Sequence, residues 1–117
     1  DIFALLPSRI RNYLAGELDQ DEAGVRLWCH NWVGQGLETL ETSLENDPAT
    51  GLYCHGDSVT FADICLGSII QVARRYDSDL APYPTVSAIY GRCAEMPAFR
   101  DALAENQSDT PSDFKGL

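Results

Sequence analysis

The chain is short of positive charge, with 8 lysines and arginines against 18 aspartates and glutamates and a formal net charge of −10. A surface this acidic disfavours nucleic acids and anionic membranes as partners. No apolar run approaches the roughly 20 residues that span a bilayer, and the first residues lack a secretory signal pattern. Five arginines stand out against this background as candidates for binding a small anion: Arg9, Arg11, Arg26, Arg74 and Arg75.

Cysteine pairs at metal-binding or redox spacing are also absent. The four cysteines, Cys29, Cys54, Cys65 and Cys93, include no Cys-x-x-Cys pair. Cys29 and His30 are adjacent, and neighbours on a helix point in different directions, so they make a poor chelate. We therefore expect no metal, and reduced, mostly buried thiols in a cytoplasmic protein.

Alternating strand patterns and internal repeats are missing, and 117 residues suit one domain. The apolar spacing predicts an all-α helical bundle. Helices are expected over about 5–14, 21–44, 61–75 and 85–93, with a short one from Pro97. We place the domain at residues 1–106 and a polar tail at 107–117.

The second predicted helix has Trp28 and Trp32 four residues apart, which favours core or interdomain packing over ligand contact. Gly34 and Gly36 weaken its middle by roughly 1 kcal/mol each relative to alanine. A close helix crossing would account for them. His30 has no acid or nucleophile at a recognisable spacing, so we expect a packing or solvated role.

The third predicted helix is apolar on most sides, so we expect it to be buried nearly all round. Its core side is predicted to consist of five residues, Phe61, Ile64, Cys65, Ile69 and Val72, and to be widened by three more, Ala62, Leu66 and Ile70.

This helix begins with a capping-box pattern, in which Thr60 is the N-cap and Asp63 stands three residues later. The Thr60 hydroxyl can accept the N–H of Asp63, and the Asp63 carboxylate can reach back to the N–H of Thr60. A buried helix start must satisfy its N–H groups internally. The box explains Asp63 fully, so we assign it no catalytic role.

Gly-Asp at 56–57 followed by this box resembles the C-terminal helical domain of glutathione transferases. Three further segments resemble the zeta class, the maleylacetoacetate and maleylpyruvate isomerases. They are Ala-Arg-Arg-Tyr-Asp at 73–77, Leu-Ala-Pro-Tyr-Pro-Thr at 80–85, and the tail at 105–111. The similarity covers nearly the whole chain, almost without gaps.

The resemblance implies an acceptor-substrate-binding helical domain of a glutathione-dependent isomerase or transferase that works as a homodimer. In that class a thioredoxin-like N-terminal domain binds glutathione and activates its thiol. No segment here resembles that domain, so we assign the chain no catalytic residue and leave open whether it acts within an enzyme.

Arg9 and Arg75 match family arginines that face the substrate pocket. A guanidinium is a planar fork of donors that binds a carboxylate through two hydrogen bonds, and two forks suit a dicarboxylate substrate. Arg75 also has a purely structural interpretation. It ends a helix, where a cation offsets the dipole, and it could pair with Asp77 or Asp79. Arg74 is expected to be an exposed surface charge.

The opening segment departs from the family at polar positions expected near glutathione. The family histidine falls on Phe3, and its two asparagines fall on Leu6 and Pro7. Two alternatives therefore stay open. One is a non-catalytic interaction module of glutathione-transferase type. The other is a transferase whose substrate is not a dicarboxylate.

Overall fold

The computed structural model describes residues 5–112, and this part of the chain is helical. It contains α1 (Ser8–Gly16), α2 (Glu22–Asn46), α3 (Phe61–Arg75), α4 (Pro84–Ala94), α5 (Pro97–Asp101) and a short 3-10 turn (Ala104–Asn106). Within that part, strand-like pairing is limited to an isolated bridge between Thr50 and Gly56. The predicted all-α fold is confirmed.

The helix boundaries follow the predicted ones closely, and α3 begins and ends at the predicted residues. The first helix differs because Pro7, predicted in the first turn, is the N-cap in extended conformation, with φ −65° and ψ 158°. No helix within 5–112 is long and apolar enough to cross a membrane.

The core lies where α4 packs against α2 and α3. Each of the three helices contributes one apolar stripe to it. The stripes consist of Cys29, Val33 and Leu37 from α2, Leu66, Ile70 and Ala73 from α3, and Val86, Ile89 and Cys93 from α4.

The predicted core side of α3 is confirmed only in part: Ile69 and Val72 pack against the core, but the other three residues face outward, so the helix is not buried nearly all round as predicted. Phe61 is 78% exposed, Ile64 is 52% exposed, and Cys65 is exposed as well. The buried face instead runs through Asp63, Leu66, Gly67, Ile70 and Ala73. Because α3 carries two apolar stripes, periodicity alone does not distinguish them. The inward-pointing carboxylate of Asp63 marks the stripe that is buried.

The predicted capping box is formed at the start of α3. One carboxylate oxygen of the fully buried Asp63 accepts the backbone N–H of Thr60 at 2.7 Å and the Thr60 hydroxyl at 2.9 Å. Its other oxygen accepts the backbone N–H of Cys54 at 2.8 Å, a contact that the sequence did not reveal. Asp63 therefore also fixes the loop before the helix.

The buried environment at the start of α3 shifts the pKa values of Asp63 and Cys54 in opposite directions. Burial raises the pKa of Asp63, but the hydrogen bonds from Cys54 and Thr60 lower it by more than burial raises it. The net shift of the pKa is therefore downward. Burial and the neighbouring Asp63 raise the pKa of the Cys54 thiol to about 12. The thiol therefore stays protonated and unreactive at neutral pH.

A second buried carboxylate, Glu41 on α2, caps the start of α4. Its two oxygens accept the backbone N–H groups of Thr85 at 2.8 Å and Val86 at 2.9 Å. Burial raises the pKa of Glu41, and these hydrogen bonds outweigh that effect and lower it. The contact spans more than forty residues of sequence, so local pattern could not predict it.

Glycine has a clear packing role at Gly67 of α3. A Cβ there would lie 3.3 Å from Cε1 of Phe99, tighter than usual, so the ring packs directly on the helix backbone. At Gly34 a Cβ would lie 3.7 Å from the Tyr83 hydroxyl, an ordinary contact. A side chain at Gly34 would therefore meet no close backbone, so the close helix crossing predicted from Gly34 does not occur at that residue.

Candidate functional site at the end of α3

Helix α3 ends in a Schellman turn just after Arg75. The N–H of Ser78 donates to the carbonyl of Ala73 and the N–H of Asp77 to that of Arg74, each at 3.0 Å. Asp77 has φ +54°, in the left-handed region that glycine usually occupies at this position. The turn reverses the chain and leaves Arg75 on the last helical turn.

Helix α2 holds this turn in place with two side chains. Arg26 Nη1 pairs with Asp77 Oδ2 at 2.7 Å, and the His30 ring hydrogen-bonds the carbonyl of Tyr76. His30 thus has the packing role that was expected. Because Arg26 occupies Asp77, the predicted alternative pair between Asp77 and Arg75 is not formed.

Arg75 is exposed and forms no ion pair within residues 5–112. Its other predicted partner, Asp79, instead accepts the N–H of Ala81 at 2.9 Å. Arg9 is also exposed, on the first turn of α1. The joint action of Arg9 and Arg75 on one ligand stays a prediction.

The structure adds Tyr76 to this region and connects it with Arg11, one of the five arginines named as candidates for binding an anion. Burial and a hydrogen bond with the Cys29 thiol raise the pKa of Tyr76, while the charges of Arg11 and Arg75 lower it. Both guanidinium groups therefore act electrostatically on one phenol. Arg11 donates to Ser8 Oγ at 3.2 Å, and its buried Nε has no partner among the described residues.

A signal for Arg11 was present in the sequence, because it is one of the five arginines that stand out in an acidic chain. Its effect on Tyr76 depends on how α1 packs and could not be inferred from the sequence.

The positions where the family carries asparagine are apolar here. Leu6 is only 7% exposed and belongs to the core cluster, and Pro7 is the half-buried N-cap of α1. Phe3 lies outside the described residues. Neither Leu6 nor Pro7 offers a polar side chain to a ligand.

The two tryptophans pack together as expected. Trp28 and Trp32 are half-buried, with ring centroids 5.6 Å apart. The Trp28 Nε1 donates to the carbonyl of Leu5 at 3.0 Å, which ties α2 to the segment before α1. Their role here is structural.

Arg74 is exposed as predicted, but it is not free of contacts. It lies over the ring of Tyr90, 5.9 Å from the centroid, and Nη1 donates to the Tyr90 hydroxyl at 3.4 Å. It therefore points toward α4, away from the region of Tyr76. Cys29 and Cys93 are buried free thiols, and no metal-binding cluster occurs in the described range.

Comparison with known families gives a match over most of the chain. A family model described as glutathione S-transferase, C-terminal domain, matches residues 8–106. A maleylpyruvate isomerase of Ralstonia sp is 38% identical over 110 residues, which are 94% of this chain and 52% of that protein. The chain spans about half the length of the curated relatives it matches.

Solved structures agree with the sequence match. A holo structure of maleyl pyruvate isomerase, a bacterial glutathione S-transferase in zeta class, superposes with TM-score 0.90 at 38% identity, covering 95% of this chain and 52% of that one. A maleylacetoacetate isomerase from Methylobacterium extorquens AM1, solved with bound malonate and glutathione, gives TM-score 0.88 at 32% identity, with coverages of 94% and 51%.

Proposed function

Since the chain belongs to the family of glutathione S-transferase C-terminal domains, we propose that it is the acceptor-substrate-binding half of a zeta-class isomerase or transferase. The substrate class is a small dicarboxylate of the maleylacetoacetate or maleylpyruvate type. The whole protein is proposed to act as a cytoplasmic homodimer, with a thioredoxin-like N-terminal half completing the site.

The observation that carries this proposal is the state of Arg75. It is exposed at the end of α3, and the nearby acids are engaged elsewhere, Asp77 by Arg26 and Asp79 by a backbone N–H. A guanidinium that forms no ion pair within residues 5–112 is suited to bind a carboxylate. The relative from Methylobacterium extorquens AM1 was solved with bound malonate, a dicarboxylate, which supports the same chemistry.

Arg9 is proposed to bind the second carboxylate of the substrate. The two guanidinium groups would bind the carboxylates at both ends of the substrate. This would orient the double bond between them for attack by the thiol of glutathione, which the other half of the protein binds. The charges of Arg11 and Arg75 both lower the pKa of Tyr76, so Arg11 adds to the positive potential that would attract the substrate.

Two positions of this chain at which the family carries asparagine near glutathione are apolar. Leu6 is buried, and Pro7 has no polar side chain. We propose that glutathione is bound by the N-terminal half, where it supplies the thiol for the reaction. The role of this chain is to bind and orient the acceptor.

A second candidate function is a non-catalytic interaction module, and one observation favours it. Phe61 and Ile64 form an outer apolar stripe on α3, and their side chains are 78% and 52% exposed. Large exposed apolar side chains next to each other are typical of surfaces that dock on another domain or protein.

Titration of the 117-residue chain with malonate, followed by NMR, tests the dicarboxylate site. We expect shifts at the ends of α1 and α3, and about tenfold weaker binding for Arg75→Gln and for Arg9→Gln. Arg92→Gln is the matched control, because it removes the same charge from α4, where Arg92 donates to the carbonyl of Leu52.

Absence of malonate binding, or equal binding by the wild-type chain and Arg75→Gln, would contradict the dicarboxylate site and favour the interaction module. A loss common to all three variants, Arg92→Gln included, would show that only the overall charge matters and would also contradict it.

A further inference from the structure

The last turn of α3 carries Arg75, and an acid, Asp77, follows only two residues later. On the proposed function Arg75 binds a substrate carboxylate. A carboxylate of the protein this close to it is a competitor, because it can accept from the same guanidinium donors. Its negative charge also repels an approaching anion. A substrate site at Arg75 therefore requires that Asp77 be engaged elsewhere.

The formation of the turn does not by itself account for the carboxylate of Asp77. The residue has φ +54°, in the left-handed region where glycine is usual just after a helix. Aspartate and asparagine enter this region more readily than most residues, but still at a cost in free energy. A glycine would form the same turn without strain and without charge, so we ask what the carboxylate contacts.

Arg26 of α2 is the partner of this carboxylate. Its Nη1 lies 2.7 Å from Asp77 Oδ2, although the two residues are 51 positions apart in sequence. A second acid, Glu22, is more distant from Arg26, with 3.9 Å between Nη2 and Oε1. Four residues further along α2, the His30 ring hydrogen-bonds the carbonyl of Tyr76 and fixes the backbone of the same turn. Asp77 is therefore held on the side of α2.

The exposure of this ion pair indicates that stability is not its main role. The side chain of Arg26 is 43% exposed and that of Asp77 is 81% exposed. Ion pairs this open to water contribute little to the free energy of folding. Their effect on a charged ligand is larger, because the pair decides whether a negative charge beside Arg75 is neutralised.

We propose that Arg26 is a positioning residue for substrate binding, which acts by keeping the Asp77 carboxylate away from Arg75. The inference rests on the proposed function, in which Arg75 binds a substrate carboxylate. Without Arg26, the Asp77 carboxylate turns to the Arg75 guanidinium and competes with the substrate for it. The ion pair between α2 and the turn thus sets the affinity of Arg75 for an anion.

A double-mutant cycle on malonate binding, followed by NMR titration of the 117-residue chain, tests this coupling. Arg26→Gln should weaken binding about fivefold, because it frees a negative charge beside Arg75. Asp77→Asn keeps a residue suited to the left-handed turn and should change the affinity less than about twofold. The double variant should bind within about twofold of the wild-type chain, because no acid is left to compete.

Glu22→Gln is the matched control, since it removes the more distant acid beside Arg26. It should leave malonate binding unchanged. Thermal unfolding should show nearly equal midpoints for all of these variants, because the ion pair is exposed. The loss of affinity in Arg26→Gln would then not be a loss of folded protein.

The ion pair can also be measured without any ligand. The NMR signal of the Arg75 Nε–H group reports whether its guanidinium is paired. This signal should shift in Arg26→Gln, where Asp77 is free to reach it, and should return to the wild-type position in the double variant. An Arg75 signal that does not respond to Arg26→Gln would overturn the proposal, whatever the affinity for malonate.

The outcomes distinguish this proposal from the proposed function. Wild-type affinity in Arg26→Gln, or an equal effect of Asp77→Asn with and without Arg26, would overturn the positioning role. The expected loss of malonate binding in Arg75→Gln would still support the dicarboxylate site in that case. Malonate binding that Arg75→Gln leaves unchanged would overturn both, because Arg75 would then bind no substrate.

Discussion

Two buried carboxylates, Asp63 and Glu41, each accept backbone N–H groups from elsewhere in the chain. In both, hydrogen bonding lowers the pKa more than burial raises it. The folded pKa values therefore lie below the unfolded ones, which are about 3.9 for Asp and 4.3 for Glu. Their contribution to stability is fully present above the unfolded values and is lost as the pH falls through the folded ones.

Asp63→Asn is expected to lower the free energy of unfolding at pH 7 by about 1–3 kcal/mol, because its amide cannot accept from both Cys54 and Thr60. Thr60→Ala should cost about 0.5–2 kcal/mol. The deficit of Asp63→Asn should shrink below about pH 4, as the carboxylate takes up a proton first in the unfolded chain and then, at lower pH, in the folded one. Urea unfolding at pH 7 and pH 3 measures both effects.

The control for this experiment is Asp101→Asn, a change at an exposed position on α5. It should leave the midpoint of unfolding unchanged at both pH values. Unchanged midpoints in Asp63→Asn and Thr60→Ala as well would mean that the capping box does not stabilise the protein.

At the scale of elements, the start of α4 depends on a residue of α2. The N-cap of α4, Tyr83, makes no side-chain hydrogen bond to the helix. Glu41 fills that role from a distance, and its negative charge also suits the positive end of the α4 dipole. One side chain thus joins two helices of the core and sets the angle at which α4 leaves the preceding loop.

Glu41→Ala is expected to destabilise the fold by about 1–3 kcal/mol, because the N–H groups of Thr85 and Val86 lose their acceptors. Glu45→Ala, one turn further along α2 and exposed, should have little effect. Amide hydrogen exchange should quicken at Thr85 and Val86 in Glu41→Ala. Equal stability of the two variants would show that Glu41 is not needed to cap α4.

At the scale of the whole molecule, one side of α3 differs from the other. The inner stripe is packed by α2 and α4, and the outer stripe exposes Phe61 and Ile64. The relatives are about twice as long as the chain that matches them. On the proposed function, the outer stripe and Arg75 face the N-terminal half, so the substrate site lies between two halves.

The 117-residue chain alone, supplied with glutathione and maleylpyruvate, is expected to show no isomerase activity above the uncatalysed rate. The reason is that the reaction needs an activated thiol, which on the proposed function is supplied by the N-terminal half. An assay of substrate loss by absorbance checks this. Clear turnover by the purified chain would contradict the division of roles proposed here.

Much of the fold could be predicted from the sequence, because its signals are local. The Thr60 and Asp63 spacing located the start of α3, and the proline at the start of each of the last two helices located α4 and α5. Arg75 was found as a candidate because it belongs to a motif. The Cys54 contact of Asp63 and the effect of Arg11 on Tyr76 were not found, because neither follows from residues near them in sequence.

The sequence by itself determined the helices, the acidic surface and the capping box, since each depends on residues within a few turns of one another. Only the tertiary structure decided which stripe of α3 is buried, which residue caps α4, and that Asp77 pairs with Arg26 rather than with Arg75. Those outcomes depend on α2, whose Glu41, Arg26 and His30 reach other elements across long stretches of sequence. Such contacts form only when the helices pack, so no local pattern encodes them.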